Sequence, residues 1–524
     1  MQAQQFPDLE YRNLDALVRA YCTAHPSIAE LFEVNPTVES ISDFAKQRPF
    51  SDENYRLLTD VLRRQYDRYS SVEAVNANLQ AFSEKKAVTV CTGHQLCLMG
   101  GPAYLIYKII STIKLGQSLQ AHVGDKKVVP VFWLASEDHD KEEIDHTYLS
   151  RTELKWNTNQ SGAVGRFTTD GFDEVLTTWL ASIDDEDLRS RMERMWTKAM
   201  AFKTWSQLTK SWIHDCFSEW GLIVIDADDA QLKRALMPVV MHELLHSTVK
   251  KSVEASNEIL ISNGFRTQVN PRDINVFYLQ KGYRARIERH KDGWHTADRV
   301  HSWDAIQLAE EVEDHPENFS PNVLLRPVYQ EIVLPNVAYV GGPGELAYWL
   351  QLRDVFRSFQ VSMPALVLRD AAIILSQTIS RKLSKLGLSN AQILAPKEDA
   401  ILKLIGDKPD FTSEKNSLAA FYDELADKVA STDASLRAIA LAEAKRAQSA
   451  IENLQAKLWK SVKLREEQKL NTLALIWDEV YPNGTMQERV ENILALACAN
   501  DKELIRLLLL EFQAPQSTLV LIEI

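Results

Sequence analysis

The stretch AVTVCTGHQLCLMGGPAYLIYK, residues 87–108, decides how the chain is read. AVTVC is a short β-branched run, and the spacing predicts a buried strand. TGHQLCLMGGP is a glycine-bearing loop, and a helix is predicted from about 103 to 117. A second apolar run, VVPVFWLAS (128–136), follows. Two buried strands flanking a helix are the signature of a βαβ unit. GLIVIDADD (221–229) again ends in polar residues before a helix rich in Leu, Met and Val, and MPALVLRD ends at Asp370. The fold class is therefore α/β, with an open parallel sheet whose ligands bind outside the carboxyl ends of its strands.

Around this core the texture changes. Residues 1–85 read as a helical segment packing on the core, with Leu14, Leu17, Val18 and Tyr21 at helical spacing. A second helical stretch runs over 52–69, capped by Ser51 or Asp52. The core is expected over 86–410 with two insertions. One, near 151–215, is tryptophan-rich and largely helical. The other, near 283–318, is polar and holds His290, His295, His301 and His315. From 413 to 478 there is neither Gly nor Pro, and Ala447, Ile451, Leu454, Leu458 and Val462 follow a near-heptad pattern. A coiled-coil domain is expected over 411–480, broken near Ser431, Thr432 and Asp433, with 481–524 returning to the core.

Composition narrows the class of protein. A chain of 524 residues is too long for one core and suggests two to four structural units. Its 59 basic against 72 acidic residues give a net charge of −13, which argues against a nucleic-acid partner. No apolar run approaches the ~20 residues needed to span a bilayer. MQAQQFPDLEYRNL has neither a basic start nor an apolar stretch and is no signal peptide. Cys22, Cys91, Cys97, Cys216 and Cys498 are too scattered for a disulfide framework or a zinc knuckle. They read as reduced thiols in a cytoplasmic protein.

Four stretches carry candidate chemistry. Gly93, His94 and Gln95 end the first strand, and Tyr104 and Lys108 lie four residues apart on one face of the next helix. Glu137, Asp138, His139 and Asp140 follow the second strand, a cluster suited to acid–base work or a divalent cation. The alternative for the acids that follow, Glu142 and Glu143, is a solvated helix N-terminus. Asn322 and Arg326 lie in an apolar segment, where a buried Arg needs an anion. That anion is either a ligand or a protein carboxylate, such as Glu331 or one of the 137–140 cluster. Gly341, Gly342, Gly344 and Glu345 form a strand–glycine–helix turn of the kind that receives a phosphate, although no Walker-type Lys follows.

Several long strings together resemble the bacillithiol-biosynthesis cysteine-adding enzymes. They are TGHQLCLMGGPAYLIYKIIS (92–111), VPVFWLASEDHDKEEIDH (129–146), FSPNVLLRPVYQEIVLPNVAYVGGPGELAYWLQL (319–352) and YPNGTMQERVENIL (481–494). They occur in family order, and with the coiled coil the resemblance spans essentially the whole chain. It implies a Rossmann-like core, homodimers through the coiled coil, and ligation of L-cysteine to the glucosamine amine of glucosaminyl-malate, the last step of bacillithiol synthesis. It also implies nucleotide binding, ATP or ADP. The expected nucleotide site is the turn at Gly341, Gly342, Gly344 and Glu345, with Tyr481 and Arg489 as neighbours and Mg²⁺ as an accompanying cation. Many members read Gly-Gln-Gln where this chain has Gly93-His94-Gln95.

The chemistry of such a ligase assigns expected roles. A free carboxylate needs activation before it forms an amide. The amine must be neutral to attack, so Asp138, His139 or Asp140 is the expected base. Arg326 or Lys108 is expected on the malyl carboxylates, and Glu137 on the cysteine ammonium. No tightly bound metal is expected. Two rivals remain: a metal-dependent hydrolase using residues 137–140 with His146, and a coiled-coil scaffold without catalysis. The first lacks H-E-x-x-H and zinc-type spacing. The second leaves the polar strand ends unexplained.

Overall fold

Along the first core strand, Val88 and Val90 fall in one buried cluster while Ala87 and Cys91 fall in another. This is the two-residue period of a strand buried on both faces. The computed structural model describes residues 1–149 and 152–524. Position 151, where the tryptophan-rich insertion was expected to begin, lies outside the described residues.

Five parallel strands form the central sheet: β1 (Ala87–His94), β2 (Lys127–Leu134), β3 (Ile223–Asp226), β4 (Asn336–Gly341) and β5 (Ala365–Leu368). Their order is β5-β4-β1-β2-β3. The chain steps outward from β1 to β3, then returns to the other side of β1. The strand order therefore reverses between β1 and β4, where open α/β sheets place their ligand crevice. Thr92 Oγ1 donates to the Val340 carbonyl at 2.7 Å and ties the two strand ends together. Helices α1 (Ala103–Gln120) and α2 (Ala230–His246) follow β1 and β3.

The N-terminal helices cover one face of this sheet. Leu17, Val18, Tyr21, Leu62 and Phe82 share a core with Trp133 and Ile225. Residues 2–7 are a strand, not part of a helix. In QAQQFP only Phe6 is buried, so no apolar alternation marks it.

The two expected insertions take different forms. The tryptophan-rich one packs helices Phe172–Ala181, Glu186–Ala199 and Trp205–Phe217. Trp156, Trp179, Trp196, Trp205 and Trp212 are buried there. The polar one belongs to an antiparallel sheet of Val276–Gln280, Tyr283–His290, Gly293–Thr296 and Ser302–Trp303, with Phe319–Pro321 at its far edge.

The described chain divides into two units. One comprises residues 3–373 and 487–520 and contains both sheets just described. The other comprises 1–2, 374–486 and 521–524. The second unit begins near 374 rather than 411, because helices Gln377–Leu386 and Lys397–Ile405 pack on Glu467–Val480. Its body is a helical hairpin of Thr412–Ala430 and Leu436–Arg465, turning at the expected break. Asp433 Oδ1 fixes that turn by accepting from the Ser435 N–H at 2.8 Å. The heptad stripe splits in two. Ala447 and Ile451 are half-buried, whereas Leu454 and Leu458 are 59% and 43% exposed.

Candidate active site

A cavity of about 830 Å³ opens at the crevice between the carboxyl ends of β1 and β4. That is within the usual range of small-molecule sites. Three of the stretches singled out in the sequence meet there, and the fourth supplies its edge.

The first wall is the end of β1. A Cβ on Gly93 would press to 3.2 Å from the Trp133 carbonyl, so glycine lets the end of β1 lie close against β2, with Arg326 Nη1 nearby at 3.7 Å. His94 Nδ1 faces the Gln95 carbonyl at 3.2 Å, which can only accept. The proton therefore sits on Nδ1, and Nε2 accepts from the Tyr104 hydroxyl at 3.1 Å. Burial, with the Lys108 charge nearby, lowers the His94 pKa to about 4, so the ring is neutral at physiological pH. Cys97 also lines this wall, and burial pushes its thiol up to about 12.

The second wall follows β2. Gln95 Nε2 donates to Asp138 Oδ2 at 3.5 Å, joining the two walls. Burial opposes ionisation of Asp138. The hydrogen bond from His139 and the Arg284 charge prevail and hold its carboxyl at about 2. The His139 ring accepts from Arg284 Nη1 at 2.6 Å through Nδ1. Glu137 is buried against Lys233 Nζ at 2.9 Å, which also pairs with Asp228 at 2.8 Å. Its charge is thus already balanced by the protein. Asp140 is exposed and lies outside the cavity lining. No helix follows β2, so the expected acidic helix N-terminus is instead a turn. Glu143 lines the cavity, its pKa raised by burial and by Asp140 and Asp138. The metal reading of this cluster is not matched by its geometry. Among the described residues, these side chains do not form a metal-like grouping.

The third wall is α3 (Arg326–Val333). Asn322 Oδ1 accepts from the Leu324 and Leu325 N–H groups at 3.0 and 3.2 Å, so it turns the chain into α3 as well as lining the cavity. Arg326 reaches Gln330 at 3.2 Å and the Tyr348 hydroxyl at 3.5 Å. The protein carboxylate considered for it, Glu331, pairs with Arg48 instead. Among the described residues, no carboxylate lies within ion-pair distance of Arg326.

The glycine turn closes the crevice through α4 (Pro343–Trp349). Glu345 folds back on its own helix start. It accepts from Gly342 N–H at 2.9 Å, Lys108 Nζ at 2.7 Å and Tyr339 OH at 2.6 Å. Burial alone would raise its pKa, but these partners hold it at about 2. The chain's own carboxylate thus occupies the Gly342 N–H expected to meet a phosphate. Gly341 serves packing, since a Cβ there would meet Leu346 at 2.8 Å. Gly344 and the exposed Arg489 line the cavity. Tyr481 belongs to the helical unit, where it stacks on Trp477 and donates to Leu394.

The antiparallel sheet contributes residues that sequence reasoning missed. Arg284 packs its guanidinium 3.9 Å over the Phe277 ring and pairs with Asp138 at 3.6 Å. Arg286 and Arg272 line the same side. Arg284 and Arg286 alternate with buried Ile287 in YRARIERH, a strand pattern hidden by its polarity.

Residues 1–370 match the family described as Bacillithiol biosynthesis BshC, N-terminal Rossmann-like domain. Residues 372–524 match its C-terminal coiled-coil domain. A relative from Cytophaga hutchinsonii named "Putative cysteine ligase BshC" is 35% identical over 489 residues, covering 93% of this chain and 92% of the relative. The protein of that name from Christiangramia forsetii is 33% identical, covering 98% and 97%. The one from Geobacillus kaustophilus is 29% identical, covering 83% and 84%. Both halves match in order and the relatives align over most of their lengths: the chain belongs to the BshC family of bacillithiol biosynthesis.

Proposed function

We propose that the protein is a cysteine ligase that joins the carboxyl of L-cysteine to the glucosamine amine of glucosaminyl-malate, completing bacillithiol. The observation that carries this reading is Arg326, a cation aimed into the crevice with no carboxylate partner among the described residues. A malyl group bears two carboxylates, and a guanidinium binds a carboxylate through paired hydrogen bonds. Arg284 and Arg489 add positive charge to the same cavity.

The residues divide the work by their protonation. Asp138 is held ionised and is a weak base, better suited to an ammonium than to proton abstraction. Glu143, whose carboxyl is raised, is a stronger base than Asp138 and takes the proton as the amine attacks. Neutral His94 accepts from Tyr104 and presents no charge to repel a cationic substrate. ATP is the proposed cosubstrate, and when bound it supplies the phosphoryl or adenylyl group that activates a carboxylate. Arg489 at the rim supports a phosphate there better than the glycine turn does, because Glu345 already holds Gly342 N–H.

We also propose a homodimer through the helical hairpin. Phe421, Ile439, Leu454 and Leu464 are each about 60% exposed on it, apolar area that a second copy would cover.

The test is to incubate the purified protein with L-cysteine, glucosaminyl-malate and ATP and follow the products by mass spectrometry. The amide-linked thiol should form only when all three are present. Its absence with all three present overturns the reading.

A further inference from the structure

The polar hairpin beyond the cavity holds two histidines that the ligase reading does not use. Strands Tyr283–His290 and Gly293–Thr296 are antiparallel neighbours, with Glu288 opposite His295 and His290 opposite Gly293. Residues two apart on a strand share a face, and directly paired residues share one too. Glu288, His290 and His295 therefore project from a single face. The His290 and His295 rings lie 4.0 Å apart between centroids. Ligand atoms of all three residues lie within 4.8 Å of one another.

The protonation of His295 adds an independent observation. Its Nδ1 lies 2.9 Å from the Thr296 carbonyl, so that nitrogen carries the proton. Nε2 is then a bare lone pair, and it is buried with no hydrogen-bond partner. An imidazole oriented by a backbone carbonyl, with its other nitrogen unsatisfied, is the arrangement that metal-ligating histidines adopt. Glu288 Oε1 accepts from Arg286, which leaves the second carboxylate oxygen for an ion.

We propose that Glu288, His290 and His295 form a binding site for a divalent transition cation of the zinc class. Two imidazoles and one carboxylate are a common zinc ligand set, leaving a fourth position to water. Small side-chain rotations within this grouping bring the three ligand atoms to about 2 Å from a shared ion. None of the three residues lines the cavity, so the site is separate from the proposed ligase chemistry. Glu288 nevertheless shares its carboxylate with Arg286, which does line it.

The test uses the full-length protein stripped with a chelator and titrated with zinc chloride by calorimetry. One equivalent should bind, and His290→Ala and His295→Gln should each weaken it at least tenfold. His290 is exposed, so its replacement leaves folding intact, which a thermal melt verifies. Cobalt(II) titrated in place of zinc should give visible absorption that is lost in the same variants. The proposal is overturned if the wild-type protein takes up no zinc. It is equally overturned if zinc binds but His290→Ala and His295→Gln leave the affinity unchanged, whether or not Asp138→Asn lowers it.

Discussion

Lys108 Nζ lies 2.7 Å from Glu345 Oε2, so that α1 and α4 are joined by a charge pair across the crevice. The partners differ in burial: the Lys108 side chain is 1% exposed and that of Glu345 27%. Burial consequently lowers the lysine pKa despite the pair, whereas Glu345, held by several donors, is depressed to about 2. Lys108→Met should cost about 3 kcal/mol in urea unfolding at pH 7. That is the low end for breaking a buried pair, since Glu345 keeps some contact with water.

The same pair sets an acid dependence. The Glu345 pKa is lower folded than unfolded, so its contribution is fully present above the usual carboxylate value near 4.3 and is lost as pH falls toward about 2. Glu345→Gln should therefore destabilise the protein at pH 7 by more than at pH 3. Equal losses at both pH values would show that Glu345 acts through packing alone.

His94→Gln should leave the pH–rate profile between pH 5 and 8 unchanged. His94 is protonated only as the pH falls through about 4, so it is already neutral across that window. A limb near pH 6 that disappears in this variant would make His94 the titrating group.

Gly101→Ala should unfold or severely destabilise the loop that carries Cys97. Gly101 has φ +57° and ψ −154°, a conformation open essentially to glycine, and a Cβ there would stand 2.4 Å from Cys97 Cβ. Gly342→Ala should be mild by comparison. Its φ is −78° and its new Cβ would meet only ordinary contacts at 3.5 Å and beyond. Thermal melts of the two variants make the comparison.

Glu at both Leu454 and Leu458 should shift the protein from dimer to monomer in light scattering. Covering one such side chain contributes roughly 1.5–3 kcal/mol. An unchanged dimer would place the interface elsewhere.

The strands of the central sheet were legible because their residues are apolar on both faces, and their polar ends marked the crevice. Arg284 was not legible. It lies on a strand whose exposed positions are charged, and its approach to Asp138 joins residues 146 apart in sequence. Asn322 was legible as special but not as a cap, since that role depends on the turn it makes. Asp140 differs from Asp138 only in where the turn after β2 points it. The coiled coil announced its helices through the missing Gly and Pro. Which apolar face meets the neighbouring helix depends on the hairpin partner, so Leu454 and Ile451 looked alike.

The assignment of the crevice to a dicarboxylate acceptor rests on Arg326. Titration of glucosaminyl-malate into the wild-type protein and Arg326→Gln, both checked for an unchanged melting temperature, measures that contact directly. Binding to the wild type and at least tenfold weaker binding to the variant, about 1.4 kcal/mol, is the expected result. Equal affinity in the two proteins would contradict it and remove the acceptor from this crevice.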